Sequence, residues 1–549
     1  MSWLNINKGN YDFSGYNLKT NLNTLNNSSV TNIIVYDYGN EGSIRDLSRT
    51  FYNFRYIRSV DMSNAKTEKV TTTNNMFWNC KNLGTVQNFD TSNVTNMRNM
   101  FSDCNALMNV PNFDTSKVTD MSNMFYGCKS LTTVPNFDTS NVSDMYNMFY
   151  GCNNLTSVPN FNTINVTSMS GMLRNCFSLT TVPEFDTSNV INMSDMFGYC
   201  NNLTSIPNFN TSSVTEMRYV FRDCKKLVSI PNFNTINVRN MSGIFYNCNN
   251  LTSVPNFDTS NVIEMATTFY HCDKLTNIPE FDTSNVKYMS YMFSQCKNIT
   301  TVPNLNTSNT TTMNYMFGYC NNLTTVPEFD TSNVTDMNQM FYYCINLTSI
   351  PNFNTINVTS MYNTFYQCNN LTSVPNLDMS NVTNTYGMFG GCKKLSIIPN
   401  FNTGSVTDMC EMFVGCDSLT SIPNLNMSNV TNVYGMFRLC NNLVTADLSS
   451  LDTSNIKNIS GMFRNCPNLS SISEFNTSNV TAAFDMVGTC NNLSNATIQN
   501  IINMCLNSKI TSFKNLSNTN SFSPLGNTKF DNSYYQNRWA ELDAAGWTY

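Results

Sequence analysis

Charge is scarce in this chain. Only 12% of its 549 residues are Asp, Glu, Lys or Arg, and the net charge is −6. So weak a field, with that sign, does not gather nucleic acid or anionic lipid, and neither is expected as a partner. Histidine occurs once, as His271, and no C-x₂-C pair occurs, which leaves zinc little to bind. No G-x-S-x-G, P-loop or H-E-x-x-H string is present, so no standard catalytic constellation is legible. The chain also lacks any run of 18 apolar residues, so no membrane-inserting helix is expected. Glycine is modest at 21, too few for the Gly-rich turns of calcium-binding nonapeptide coils.

The opening MSWLNINKGNYDF is not a charged stretch followed by an apolar one, so a secretory signal is not expected. The ending ELDAAGWTY carries no lipidation motif. If the protein acts outside a cell, the expectation is another route, such as release of a virion by lysis.

What is present is repetition. Cysteines fall in unbroken steps of 24 from Cys80 to Cys440, then at Cys466 and Cys490, which places eighteen of the twenty in one column. One unit reads NNLTSVPNFNTINVTSMSGMLRNC, with apolar positions Leu155, Val158, Phe161, Val166, Met169, Met172, Leu173 and Cys176. The next but one repeats them as Leu203, Ile206, Phe209, Val214, Met217, Val220, Phe221 and Cys224. A single unit buries too little to fold alone, whereas stacked units share a core. The spacing predicts two short strands per coil, at Leu-x-x-Val and Val-x-x-Met, each pairing in parallel with its equivalents. It predicts a helical or 3₁₀ turn at Met-Phe-x-x-Cys.

Fourteen of sixteen prolines, Pro111 to Pro423, share the period and should end the first strand. The next variable column alternates Asp90, Asp114 and Asp138 with Asn162, Asn210 and Asn234. Both residue types cap a turn by accepting from the backbone two residues on. Calcium is the other reading of this column, and the neutral Asn residues weigh against it. The organisation expected is an N-terminal cap or attachment segment at 1–40, about eighteen repeats of 24–26 residues over 41–492, and a helical cap with an aromatic tail over 493–549. TNIIVYDY, at 31–38, should be a strand covering the first coil, and ATIQNIINMCL a helix capping the last.

The string FDTSNV(S/T)DMxxMFYxCxNLTS(V/I)PNFNTINV, at Phe137–Val166 and Phe329–Val358, resembles the BspA-like leucine-rich-repeat surface proteins of bacteria, some protists and their phages. The resemblance covers roughly residues 41–492. It implies a leucine-rich-repeat-like solenoid of short parallel β-strands with turn or 3₁₀ segments, capped at its ends. It also implies an extracellular binding or adhesive role without catalysis or a cofactor.

Twenty cysteines invite disulfides or metal, but in-register side chains point the wrong way for a disulfide torsion. A ladder of buried free thiols acting as small hydrophobes is the expected state, and Cys410 and Cys505 outside the column should be buried thiols too. Methionines such as Met145, Met148, Met193 and Met196 occupy fixed columns and are read as core.

The copies disagree mainly at the two positions after the repeat Met and the two after the repeat Phe. Tyrosine recurs there as Tyr146, Tyr150, Tyr219, Tyr246, Tyr270, Tyr291, Tyr315, Tyr343, Tyr362, Tyr366, Tyr386 and Tyr434. Tyrosine offers rigid amphipathic contact area at low entropic cost, so these residues are the candidate binding edge. Merely covering the coil is the alternative reading. The role expected is a non-enzymatic recognition solenoid, as a virion-borne host-recognition or decoration protein, with an adhesin on a bacterial or protist surface or a structural spacer rod as alternatives. A host cell-surface protein or glycan is the expected partner, with other virion or surface proteins meeting the termini.

Overall fold

The computed structural model describes residues 3–7, 31–36 and 45–509. The aromatic tail with Trp539 and Trp547, and most of residues 1–40, lie outside the described residues. The chain forms two compact units, Met1–Asp282 and Thr283–Tyr549, each built from the same coil. In the first, parallel bridges run from Asp46 to Thr72, Asn96, Asp120 and onward to Glu264; in the second they run from Tyr288 to Thr312 and onward to Ala482.

Apolar columns point inward and are buried, including every position of the two units quoted above. Where a Phe precedes the Cys by three in successive coils of a unit, it stacks on its equivalent. Phe77 and Phe101 have centroids 5.3 Å apart at 7°, and Phe413 and Phe437 lie 5.5 Å apart at 4°. Identical residues one coil apart sit at the strand spacing, so in-register stacking follows from the repeat itself.

The first strand is shorter than the spacing predicts. In most coils it keeps one backbone bond per rung, as Thr156 N–H to Thr132 O at 3.0 Å. Ladders form at β4 (Thr85–Val86), β5 (Thr445–Ala446) and β6 (Ser471–Ile472). The residues after these strands are Gln87, Asp447 and Ser473, in the column that elsewhere holds proline. Gln87 N–H reaches Val60 O and Ser473 N–H reaches Ala446 O, each at 3.0 Å. Proline has no N–H to make that bond, so it removes the ladder as well as ending it.

The Met-Phe-x-x-Cys segment is a run of tight turns instead of a helical or 3₁₀ turn. Its N–H groups alternate in direction. Those of Met121, Asn123, Phe125 and Gly127 donate to the next coil, at Asp144, Tyr146, Met148 and Tyr150 O; those of Met124, Tyr126 and Cys128 donate to their own coil three residues back. The alternation needs a left-handed residue every fourth position, here Asn123 at φ 54° and Gly127 at φ 71°. Glycine, Asn and Asp take that conformation most readily, and they dominate the two columns.

Polar side chains tie coil to coil. The buried Thr139 hydroxyl donates to Asn162 O at 2.8 Å, and Asn141 Nδ2 donates to Ser116 O at 2.7 Å. Within each unit the column cysteines use their thiols in the same way, as Cys152 Sγ to Phe125 O at 3.1 Å. All twenty cysteines are free and buried, and burial pushes Cys200 and Cys440 up to about 12. At pH 8, a thiol reagent should therefore find almost no reactive group in the native protein and twenty after denaturation. Rapid native labelling of several thiols would contradict this packing.

The Asp/Asn column caps its turns: Ser116 N–H donates to Asp114 Oδ1 at 3.0 Å, and Ser212 N–H to Asn210 Oδ1 at 3.2 Å. The Ser116 N–H and hydroxyl hold the Asp114 carboxyl below the usual range, and the Ser188 hydroxyl and N–H do so for Asp186. A carboxyl lowered on folding stabilises above its unfolded value, and that contribution is lost as pH falls through the folded value. Asn caps without titrating. Replacing Asp114 and Asp186 by Asn should leave the melting temperature at pH 7 little changed and reduce its fall between pH 5 and pH 3.

The ends of the stack close differently. In the first unit, β1 (Trp3–Asn7), β2 (Asn32–Tyr36), β3 (Ser59–Asn64) and β4 form a parallel sheet in that order, so TNIIVYDY supplies a strand next to the first ladder. In the second, α1 (Asn495–Asn507) starts at the N-cap Ser494. Its Thr497 hydroxyl accepts from Ile472 N–H at 3.2 Å, and Asn500 Nδ2 donates to Ile472 O at 2.9 Å. The helix thus satisfies the β6 edge that a further coil would otherwise pair.

Candidate binding edge

The turn run places two adjacent columns on one side of the coil, the residues two and one before each Cys, together with those five and six before it. In the first unit these columns form a continuous aromatic and guanidinium ladder. Tyr126 and Tyr150 stack at 4.6 Å and 8°. Arg174 lies over Tyr150 at 5.3 Å and over Tyr199 at 5.7 Å. Arg222 lies over Tyr199, Tyr219 and Tyr246 at 4.8, 5.1 and 5.2 Å. Tyr246 then stacks on Tyr270 at 4.6 Å. Gly198 occupies the column where Tyr or Arg stands in neighbouring coils, and Tyr199 from the next column fills that gap.

The second unit carries two groups. Tyr291 stacks on Tyr315 at 4.9 Å, and Tyr315, Tyr319, Tyr342, Tyr343 and Tyr366 continue as a cluster with neighbouring centroids 4.7 to 6.3 Å apart. Tyr362 stacks on Tyr386 at 5.2 Å, and the Tyr386 hydroxyl donates to Glu411, which pairs with Arg438 at 2.9 Å. Burial pushes the Tyr315 and Tyr386 phenols well up and Tyr342 to about 12, so all three are neutral hydrogen-bonding groups at physiological pH.

Ten of the twelve tyrosines named from the sequence thus enter stacks or clusters. Tyr146 and Tyr434 stand more open, at 43% and 37% exposure. Sequence reasoning missed Tyr126, Tyr199, Tyr319 and Tyr342, and it missed the arginines. Their signal was available, since Arg174 and Arg222 share the column of Tyr126 and Tyr150, and in-register columns stack whatever their chemistry.

Six of the edge tyrosines hold left-handed backbones: Tyr199, Tyr219, Tyr291, Tyr315, Tyr319 and Tyr343, at φ 57° to 63°. The backbone accounts for Gly and Asn at these positions, but a bulky aromatic there is a strained outlier. The electrostatics are similarly costly. Arg174 pairs with Asp195 at 3.2 Å, yet Nε of Arg174 and of Arg222 are buried without a hydrogen-bond partner. Burial pushes the Asp195 carboxyl up against the pull of Arg174, Arg222 and Arg218.

His271, also left-handed, pairs with Asp273 at 3.3 Å and meets Tyr270 edge-on. Among the described residues no group of three or more His, Cys, Asp or Glu side chains could hold a metal ion. No helix among them is long and apolar enough to cross a membrane.

The family model described as "Mycoplasma protein of unknown function, DUF285" matches six overlapping stretches, 45–158, 153–253, 177–277, 224–325, 312–420 and 394–501. No curated protein matches the chain. Among solved structures, a leucine-rich repeat protein from Bacteroides ovatus is similar at 17% identity, over 76% of this chain and 86% of that one, with a TM-score of 0.27. One from Eubacterium ventriosum shares 18% identity over 73% and 83%, with a TM-score of 0.27. A leucine rich cell surface protein from Faecalibacterium prausnitzii shares 16% over 81% and 82%, with a TM-score of 0.24. Matched from residue 45 to 501 and folded as parallel in-register coils, the chain is a BspA-like leucine-rich-repeat solenoid and belongs to the DUF285 family.

Proposed function

We propose that this protein is a non-enzymatic recognition solenoid that binds a cell-surface glycan or protein through its tyrosine edge. One observation carries the reading: six tyrosines sit at backbone positions that favour glycine, two of them in the ladder of the first unit and four in the cluster of the second. Strain of that kind persists where something other than folding selects the side chain. The same role is served on a virion, as a host-recognition or decoration protein, and on a bacterial or protist cell surface, as an adhesin. Immunogold labelling of particles and of cells separates the two settings.

The test combines binding with stability. Replacing Tyr315, Tyr343 and Tyr362 by Asn removes three rings, two of them from left-handed positions that Asn tolerates. Relief of about 1 kcal/mol at each of those two backbones only partly offsets the seven ring pairs lost, each worth about 0.5–1.5 kcal/mol. The variant should therefore melt below the wild type yet remain folded, because the buried columns are untouched, while losing at least tenfold in affinity on a glycan and surface-protein array. Undiminished binding by a folded variant would leave the edge as coil covering and favour a spacer rod.

A further inference from the structure

We infer that the stretch of edge between Arg174 and Arg222 binds a linear acidic polysaccharide, one bearing a carboxylate or sulfate on alternate sugars. The inference rests on the recognition reading above and names its ligand chemistry in the first unit.

Three observations lead there. First, charge is rare in this chain and negative overall, yet Arg174, Arg218, Arg222 and Lys225 gather here against Asp195 and Asp223. The local balance is four cations to two anions, opposite to the whole. Second, the two ladder guanidiniums are ordered before any ligand arrives. Arg174 is held between Tyr150 and Tyr199, and Arg222 against Tyr199 and Tyr246, with side chains 28% exposed in both cases. A guanidinium fixed on aromatic faces loses little freedom on binding, and the N–H groups that Asp195 does not take up can bond carboxylate or sulfate oxygens. Third, the spacing fits a sugar repeat. Arg174 and Arg222 are two coils apart, roughly 10 Å at the ~4.8 Å strand spacing, which is about the length of a disaccharide. A linear chain laid along the stack therefore meets these two cations one disaccharide apart. Half-buried tyrosine hydroxyls between them can bond the sugar hydroxyls.

An acidic peptide is the competing ligand. It can neutralise the same arginines, but its side chains alternate faces along an extended backbone and do not require hydroxyl partners between them.

The test uses the full chain and a panel of hyaluronan, chondroitin sulfate, heparin and polygalacturonate beside neutral dextran and mannan, with poly-glutamate as the peptide arm. The expected result is binding to at least one acidic glycan, weakening about tenfold or more when salt rises from 0.05 to 0.5 M. Changing Arg174→Gln and Arg222→Gln together should cost a further tenfold at low salt. Arg174→Lys with Arg222→Lys, which keeps the charge but loses the planar fork, should fall between. The salt titration on unmodified protein holds even if a variant folds poorly. Failure to bind any acidic glycan, equal binding to dextran, or tighter binding to poly-glutamate overturns the inference. Salt-independent binding to a neutral glycan or a surface protein, lost with the tyrosine variant, overturns it while leaving the recognition reading standing.

Discussion

Changing Phe149 to Ala is expected to destabilise the first unit by about 3–5 kcal/mol, whereas Phe149→Leu should cost under about 1.5 kcal/mol. Phe149 is fully buried, stacked on Phe125 at 5.5 Å and packed against Phe161 at 6.2 Å. Alanine leaves a cavity that neighbouring coils cannot collapse to fill, because inter-coil bonds fix their spacing, as Phe125 N–H to Met148 O at 2.9 Å and Phe149 N–H to Met172 O at 2.9 Å. Leucine is already accommodated one coil on, where Leu173 is buried in the same column. In a solenoid each coil touches only its neighbours, so the loss should be local. Urea unfolding followed by amide hydrogen exchange checks both parts: exchange should accelerate around 125–173 first. A uniform acceleration across the unit would indicate a globular core instead.

The second large effect concerns a glycine. Gly243 has φ 59°, and a Cβ added there would lie 2.0 Å from Tyr219 Cε1. Gly461 has the same φ, but its nearest neighbour is Arg464 Cβ at 3.9 Å. Both Gly→Ala changes carry the left-handed cost of about 1–2 kcal/mol. Only Gly243→Ala must also move the Tyr219 ring, which lies under Arg218 at 4.9 Å and Arg222 at 5.1 Å. Losing those contacts adds about 0.5–2 kcal/mol. Thermal melts should therefore rank Gly243→Ala below Gly461→Ala, and Gly243→Ala should also weaken binding at the first-unit ladder. Equal melts would mean that Tyr219 is not held where the structure has it.

These two cases mark what the sequence makes legible. Phe149 and Leu173 share a column, so the buried set and its tolerance can be read directly from the copies. The caps can be read as well, since TNIIVYDY has strand composition and ATIQNIINMCL helical spacing. The local backbone is harder. Pro159 signals the end of a strand, but only hydrogen-bond accounting shows that its missing N–H leaves a single bond on that rung. The Asn, Asp and Gly residues that dominate the columns one and five before each Cys signal left-handed turns, and the tyrosines sharing those columns obscure the signal. The turn matters for the site, because Tyr343 and Tyr315 become informative only once their backbone is known to favour glycine. Arg174 and Arg222 are hard to read for a related reason: residue type alone does not say which unlike residues a column stacks together.

The central claim is that the tyrosine edge recognises and the rest of the coil supports it. Hydroxyl-radical footprinting tests this most directly, with the protein bound to whatever it captures on a glycan and surface-protein array. Protection should map to Tyr150, Tyr199, Tyr246 and Tyr270 or to Tyr315, Tyr343 and Tyr366, with little change at the exposed Ile164, Ile236 and Ile356 away from the edge. Protection confined to those isoleucines or to the terminal segments, with the edge tyrosines as reactive as before, would contradict it.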